Sequence, residues 1–170
     1  MAVTIENSVQ LANQLAHPPV EMESHYIYGK LRVYRFEFTQ GAALGDALSS
    51  QRLIRLPAGK VTLFAPMCWA KNSAWSATAV LDIGWEAYRD KSGVVVAADP
   101  DGLVVGMTVA TASAAWNFAA PTGGTQGAGI SGNLQMTFES SSGVVIYGNT
   151  RTAGPAAGGT LKGFITVAVE

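Results

Sequence analysis

Residues 76–85 read SATAVLDIGW and show the clearest two-residue period in the chain. One parity is apolar throughout, at Ala77, Ala79, Leu81, Ile83 and Trp85. Because side chains alternate between the two faces of a strand, this period predicts one strand of ten residues with an apolar face. Ten extended residues span roughly 33 Å, and such a strand suits a sheet that packs against a second sheet.

Short predicted strands, separated by turn residues, continue along the rest of the chain. They lie within residues 30–39, 51–56, 60–66, 94–98, 103–109, 134–139, 144–149 and 161–169. Pro57-Ala58-Gly59 predicts a hairpin between the strands on either side, and Asp99-Pro100-Asp101-Gly102 predicts a turn. The pattern as a whole predicts an all-β fold, an antiparallel β-sandwich of jelly-roll or related type.

The N-terminal residues differ from this pattern. Apolar residues fall at helical spacing behind Thr4, a candidate N-cap, at Ile5, Val9, Ala12 and Leu15. His17-Pro18-Pro19 ends any such helix, because proline cannot donate a backbone hydrogen bond and restricts the residue before it. We therefore predict an extended N-terminal arm over residues 1–28 and a β-sandwich domain over residues 29–170. The arm is expected to become ordered when it binds a partner.

Charge and hydropathy argue against several classes of protein. Only 14% of the 170 residues are charged and the net charge is −1 at pH 7, so no basic surface for nucleic acid is expected. The mean hydropathy is +0.21, but every apolar stretch is too short for a membrane-spanning helix. We predict a protein that binds neither nucleic acid nor a membrane.

Few residues are available for catalysis or metal binding. Cys68 is the single cysteine, which excludes an internal disulfide, and both histidines, His17 and His25, lie near the N-terminus. Asp82 and Glu86 share one strand face, but roughly 13 Å of extended chain separates them, more than the spacing of glycosidase carboxylates. We predict no catalytic, metal-binding or cofactor-binding residues, and hence no enzyme.

Charge is also unevenly distributed along the chain. Residues 103–170 contain only four charged side chains, those of Glu139, Arg151, Lys162 and Glu170. A surface with so little charge is easily buried against another chain, because few charged groups must be desolvated. It also fits a neutral, glycine-rich β surface, and the sequence leaves both interpretations open.

The four tryptophans are the remaining candidates for a binding role. Trp85 lies in phase with an apolar strand face, which places it in the predicted core. Trp69 and Trp75 flank Lys71-Asn72-Ser73, a predicted loop, where tryptophans often anchor interfaces. We favour core or interface positions over stacking on sugars, which is kept as an alternative.

Several stretches resemble a loose group of tailed-bacteriophage virion proteins that includes capsid decoration, or cement, proteins. The resemblance covers about residues 40–170 and rests on LPAGKV at 56–61, VLDIGWEAY at 80–88, AADPDG at 97–102, GVVI at 143–146 and AGGTLKGFI at 157–165. It implies a β-sandwich on the outer face of an icosahedral head, often a trimer at threefold positions, that braces the shell. The group shares no catalytic residues, so none is transferred to this chain.

The resemblance implies a protein made in the host cytoplasm and located on the capsid surface of the virion. Its implied partners are the major capsid protein and itself, as a homotrimer. The candidate partner contacts are apolar or aromatic residues, with one histidine, of the arm and the tryptophan-containing segments: Ile5, Leu11, Leu15, His17, Pro18, Pro19, Tyr26, Tyr28, Trp69, Trp75 and Trp116. The alternative is a glycan-binding β-sandwich module of a head fibre or tail.

Overall fold

The computed structural model describes residues 5–8, 11–12, 15–16, 31–43, 45–121, 123–130 and 134–169. Within these ranges the chain forms short strands and the 3-10 helix Ala65–Met67, and Leu11, Ala12 and Leu15 are α-helical. The strands are β1 (Ile5–Asn7), β2 (Leu31–Thr39), β3 (Ser50–Leu56), β4 (Gly59–Phe64), β5 (Trp69–Asn72), β6 (Val80–Trp85), β7 (Tyr88–Arg89), β8 (Val95–Val96), β9 (Asp99–Thr108), β10 (Trp116–Asn117), β11 (Thr125–Gln126), β12 (Gln135–Ser140), β13 (Val144–Thr150) and β14 (Thr160–Val169).

Two sheets pack face to face. Sheet A has the strand order β1-β3-β13-β6-β9-β11, and sheet B has the order β10-β5-β14-β4-β12, with β2 pairing to β14 as well. One buried cluster joins them, with Leu53, Leu81 and Ile146 from sheet A and Phe36, Leu63 and Ile165 from sheet B. Across the core, the rings of Trp85 and Phe138 meet edge to face at 5.3 Å. The predicted all-β sandwich is confirmed.

The first strand departs from the predicted pairing. β1 pairs with β3 in parallel, whereas the other described strand pairs are antiparallel. The predicted helix does not start at Ile5, because Ile5–Asn7 is extended and its backbone bonds to the edge of sheet A. Leu11, Ala12 and Leu15, farther along the predicted stretch, are helical. The Ser8 hydroxyl donates to the Leu53 carbonyl, and Leu11 is buried. These arm residues therefore contact the sandwich of their own chain.

The predicted hairpin around Pro57-Ala58-Gly59 is wrong. β3 pairs with β1 and β13 in sheet A, whereas β4 pairs with β12 and β14 in sheet B. The turn therefore carries the chain from one sheet to the other. Each strand then turns its apolar face toward the core between the sheets instead of lying beside its neighbour.

The stretch at residues 76–85 forms a shorter strand than predicted. β6 starts at Val80, because a turn precedes it in which Thr78 has a φ of 66° and the Ala79 amide donates to the Ser76 carbonyl at 3.0 Å. β6 is also covered on both faces, since Leu81–Trp85 are all buried. The second face of β6, which a strand with one apolar face would expose to solvent, is therefore covered as well.

The predicted turn at Asp99-Pro100-Asp101-Gly102 is a bulge at the start of β9. Ile83 of β6 pairs with Val104 and Trp85 with Asp99, so extra residues of β9 fold over the outer face of β6. The backbones approach so closely that a Cβ on Gly84 would lie 1.8 Å from the Asp99 carbonyl oxygen. Only glycine fits this crossing.

The charge-poor residues 103–170 do not form one face. From β9 to β14 the chain changes sheet at every connection, so this half contributes strands to both sheets. Of its four charged side chains, three are ion-paired: Glu139 with Lys91, Arg151 with Asp82, and Lys162 with Glu37. The low charge is therefore spread over the molecule and does not mark a single interface.

Candidate functional site

The four tryptophans differ in solvent exposure. Trp75, Trp85 and Trp116 are buried, whereas Trp69 is 38% exposed. The Trp75 indole donates to the Thr160 carbonyl at 3.2 Å, and the Trp116 ring stacks on Phe118. Trp75 and Trp116 were predicted to contact a partner, but the core encloses both. Trp69 is the tryptophan that offers a surface.

The arm candidates fall into three groups. Ile5 and Leu15 are exposed, and Leu15 lines a cavity of about 260 Å³ together with Leu56 and Pro57. Leu11 was predicted to contact a partner, but it is buried in the sandwich with 1% exposure. The other five candidates lie outside the described residues: His17, Pro18, Pro19, Tyr26 and Tyr28.

Trp69 lies in a concavity of about 400 Å³ on the outer face of sheet B. The register of β2, β14 and β5 aligns Arg35, Phe164 and Trp69 in one row. The next row, two residues along, is Glu37, Lys162 and Lys71. Residues two apart on a strand face the same side, so these six side chains form one array.

A third row extends this array in the other direction. Val33 pairs with Thr166, whose hydroxyl donates to the Met67 carbonyl at 2.8 Å. We call the full array the sheet B patch; it consists of Val33, Thr166, Met67, Arg35, Phe164, Trp69, Glu37, Lys162 and Lys71. Strand spacing and rise give it roughly 10 Å by 13 Å between outermost Cα atoms.

The sheet B patch carries more positive than negative charge. Its three cations, Arg35, Lys71 and Lys162, face one carboxylate, and Lys162 Nζ lies 2.5 Å from Glu37 Oε1. Within the described part of the chain, neither Arg35 nor Lys71 has an ion-pair partner. Lys71 and Lys162 are directly opposite on neighbouring strands, an arrangement that destabilises a sheet.

The patch is also apolar where a solvated sheet face is normally polar. Val33, Met67 and Trp69 are among the large hydrophobic residues that the structure leaves exposed. Val33 and Met67 lie outside the concavity, on the far side of the Arg35 row. Sequence analysis singled out Trp69 but missed its neighbours, because only the register of three distant strands brings them together.

The outer face of sheet A has a different chemistry. The Asp82 side chain is 3% exposed; its carboxylate accepts from the Arg151 Nε and from the Gly106 amide, the latter at 2.7 Å. Arg151 also reaches Asp101 at 3.0 Å, and Arg52 Nε lies 2.5 Å from Glu86 Oε1. Each of these carboxylates is therefore engaged by an arginine of the same chain.

Burial raises the pKa values of two side chains near this network, Asp99 and Tyr147. Burial raises the pKa of Asp99, and the neighbouring Asp101 raises it further through a hydrogen bond and its charge. Burial also raises the pKa of Tyr147, with smaller contributions from Glu86 and Asp99. No pattern in the sequence indicates this network, although Arg151 is one of the few charges after residue 102.

The described residues offer little for catalysis or metal binding. Cys68 is buried, its thiol donates to the Phe64 carbonyl at 3.1 Å, and burial raises its pKa to about 12. The thiolate that would act as nucleophile is thus strongly disfavoured. Among the described ranges, no three His, Cys, Asp or Glu side chains converge as a metal site, and no helix has the length and apolar character needed to cross a bilayer.

Comparison with known proteins identifies a solved structure with a similar fold. No protein-family model matches the sequence, and no curated protein matches it. A solved structure, "Cyanophage Pam1 capsid asymmetric unit", contains a chain of similar fold, with a TM-score of 0.53 and 13% sequence identity. The fold resembles that of a chain from a phage capsid. The match covers 88% of this chain and 92% of that chain, so it includes most of both.

Proposed function

We propose that this protein is a non-enzymatic structural component of a phage virion, which binds the outer surface of the capsid and stabilises the head. The observation that carries the proposal is the structural match over 88% of this chain and 92% of a chain in a phage capsid asymmetric unit. The aligned part makes up most of both chains, so the likeness is not confined to a small part of either.

The chemistry of the described residues supports binding in preference to catalysis. The carboxylates of Asp82, Glu86 and Asp101 are held by arginines, and the Cys68 thiol is enclosed. The sheet B patch instead combines the exposed Val33, Met67 and Trp69 with Arg35 and Lys71, two cations that have no ion-pair partner among the described residues. Such a surface suits association with another macromolecule.

We further propose the major capsid protein as partner and a homotrimer as the assembled form, located on the capsid surface after synthesis in the host cytoplasm. In this proposal the arm, residues 1–28, reaches a neighbouring subunit or the capsid. The exposed Ile5 and Leu15 are the described arm residues able to make that contact.

The virion role is tested with particles of the phage whose genome encodes this chain. Antibodies against the purified protein are used to probe density-purified particles, both intact and disrupted. We expect labelling of intact heads and release of DNA at a lower temperature from heads of a phage that lacks the gene. Absence of the chain from purified particles would contradict the proposal, and labelling only after disruption would contradict the outer location.

The oligomeric form is tested by light-scattering mass of the purified protein, with and without residues 1–28. A homotrimer has three times the 17.7 kDa mass of one chain. A monomer in solution that forms trimers only on heads would show that assembly depends on the capsid. A monomer both in solution and on heads would contradict the homotrimer.

One observation favours a second candidate, a glycan-binding module of a head fibre or tail. Trp69 is exposed in a concavity beside Arg35, Glu37 and Lys71, and exposed aromatic rings beside polar groups can stack on sugars. Binding of the protein to a glycan array, with antibody labelling at the tail or fibres and not on the head, would favour this candidate.

A further inference from the structure

The sheet B patch exposes apolar side chains, and two of its three cations have no ion-pair partner among the described residues. A sheet face in water is normally polar, yet this one exposes Val33, Met67 and Trp69. Contiguous exposed apolar side chains rimmed by charge mark interaction sites. The patch therefore has the composition of an interface core with a charged rim.

The charge of the patch indicates the charge of its partner. Lys71 and Lys162 face each other on adjacent strands, and Arg35 and Lys71 have no ion-pair partner within the described residues. This arrangement is unfavourable in the isolated chain. Carboxylates from a partner would offset it, because complementary charge across an interface is favourable and speeds association.

The shape of the patch indicates a protein and not a small ligand. The concavity of about 400 Å³ next to Trp69 and Phe164 accepts one anchoring side chain. Val33 and Met67 lie outside it, so a saccharide held in the concavity would leave both exposed to water. A protein surface spanning roughly 10 Å by 13 Å would cover all three rows.

A second copy of this chain is a poor occupant. Among the described residues, the carboxylate-rich surface of this chain is the outer face of sheet A, where Asp82, Glu86 and Asp101 are already bound by arginines. Docking there would have to compete with those ion pairs. That face of a second copy is therefore unsuited to the patch, and we assign the patch to a different chain with free carboxylates.

We infer that the sheet B patch is the surface by which this protein docks on another protein of the particle, and that the partner presents an apolar side chain flanked by carboxylates. The inference rests on the proposed virion function and specifies the chemistry of the contact. Trp69 is its central anchor, and Arg35 and Lys71 are its charged contacts.

The test measures binding of purified variants to heads from a phage that lacks this chain, by co-sedimentation. Trp69→Ala and Lys71→Glu are each expected to weaken binding at least about tenfold, as for interface anchors. Matched controls are Val94→Ala and Lys91→Glu, which change an exposed apolar and an exposed basic residue away from the patch. The controls are expected to bind within about twofold of the unmodified protein.

Hydroxyl-radical footprinting read by mass spectrometry provides a second measurement on the unmodified chain. Met67 and Trp69 are readily oxidised and exposed, so docking should protect both, while the peptide with Val94 and Val95 stays reactive. Thermal unfolding of each variant shows whether it is folded. The footprint does not depend on any variant, so it tests the inference even if Trp69→Ala fails to fold.

The possible results distinguish a failure of the docking inference from a failure of the proposed virion function. If the unmodified protein does not bind the heads, the proposed function fails and the inference fails with it. If it binds, but patch and control variants bind alike and Met67 and Trp69 remain reactive, the inference is overturned and the virion role stands. Binding to an acidic saccharide that Lys71→Glu abolishes, with head binding unchanged, would overturn it in favour of a glycan site.

Discussion

The outer faces of the two sheets differ in how their charged residues are paired. On sheet A, Arg151 is held between Asp82 and Asp101, and the Asp82 side chain is almost fully covered. On sheet B, Arg35 and Lys71 project beside the exposed ring of Trp69, with no described carboxylate bound to either. Charged side chains are therefore ion-paired on one face, whereas two cations on the other have no described carboxylate partner, according to what the fold places beside them.

The largest expected effect concerns the close crossing on the sheet A face. Gly84→Ala would place a Cβ 1.8 Å from the Asp99 carbonyl oxygen, so β9 would have to move away from β6. We expect the free energy of unfolding, measured with urea, to fall by about 3 kcal/mol. The control is Gly41→Ala, where no atom lies within 4 Å of the added Cβ; its stability should be unchanged or higher by up to about 1 kcal/mol. Equal stability of the two variants would contradict the crossing.

The next effect compares one cation from each face. Arg151→Ala leaves the buried Asp82 carboxylate with the Gly106 amide as its remaining partner among the described residues, which should lower the free energy of unfolding by about 2–3 kcal/mol. This is less than for a fully buried pair, because Arg151 itself is 42% exposed. Lys162→Ala removes a solvent-exposed pair with Glu37 and should lower it by less than about 1 kcal/mol.

Chemical denaturation of both variants measures this contrast. The order of the two effects is the decisive result, and it does not depend on their absolute size. A Lys162→Ala variant that is destabilised as much as Arg151→Ala would mean that the sheet B patch is built for stability, which removes the distinction between the faces.

The smallest effect is a pH dependence from the bulge on sheet A. Burial and Asp101 raise the pKa of Asp99 in the folded protein, so its ionised form opposes folding at neutral pH. That penalty disappears as the pH falls through the raised pKa, toward the unfolded value of about 4. Asp99→Asn is therefore expected to be more stable than the unmodified protein at pH 7, by less than the Arg151 effect, and the gain should shrink on acidification.

Urea unfolding of Asp99→Asn between pH 4 and pH 7 provides the measurement, on the scale of the side-chain pKa values of about 4. Asp101→Asn is the matched comparison, because it removes the charge that helps to raise the pKa of Asp99 and should therefore weaken the pH dependence. A gain for Asp99→Asn that is the same at every pH would show that ionisation of Asp99 is not its cause.

Local patterns in the sequence predicted the strands better than they predicted their partners. Short apolar runs between turn residues located β13 and β14 nearly to their ends, because both signals are local. The period of two overextended β6, since Thr78 adopts a turn conformation that no apolar pattern encodes. The Pro57-Ala58-Gly59 turn was identified, but whether it joins one sheet or two depends on strands far away in the sequence.

The candidate site was less predictable than the fold for the same reason. Trp69 was chosen for its composition and flanking residues, and exposure of its ring agrees with that choice. Trp75 has similar neighbours in the sequence but is enclosed by Phe38 and Thr160. The charged rows of the patch depend on the register of β2 and β5 against β14, which a single sequence does not specify.

The central place of β14 in sheet B has a consequence for biosynthesis. β14 follows in sequence every strand that it joins, namely β2, β4 and β5, and it supplies Lys162 and Phe164 to the middle of the patch. A nascent or truncated chain that lacks residues 160–169 therefore cannot form the sheet B patch. Long-range pairing of this kind forms late, so under the docking inference above only chains whose translation has passed this strand would be competent to dock, and incomplete copies would be kept off the partner without a separate proofreading step.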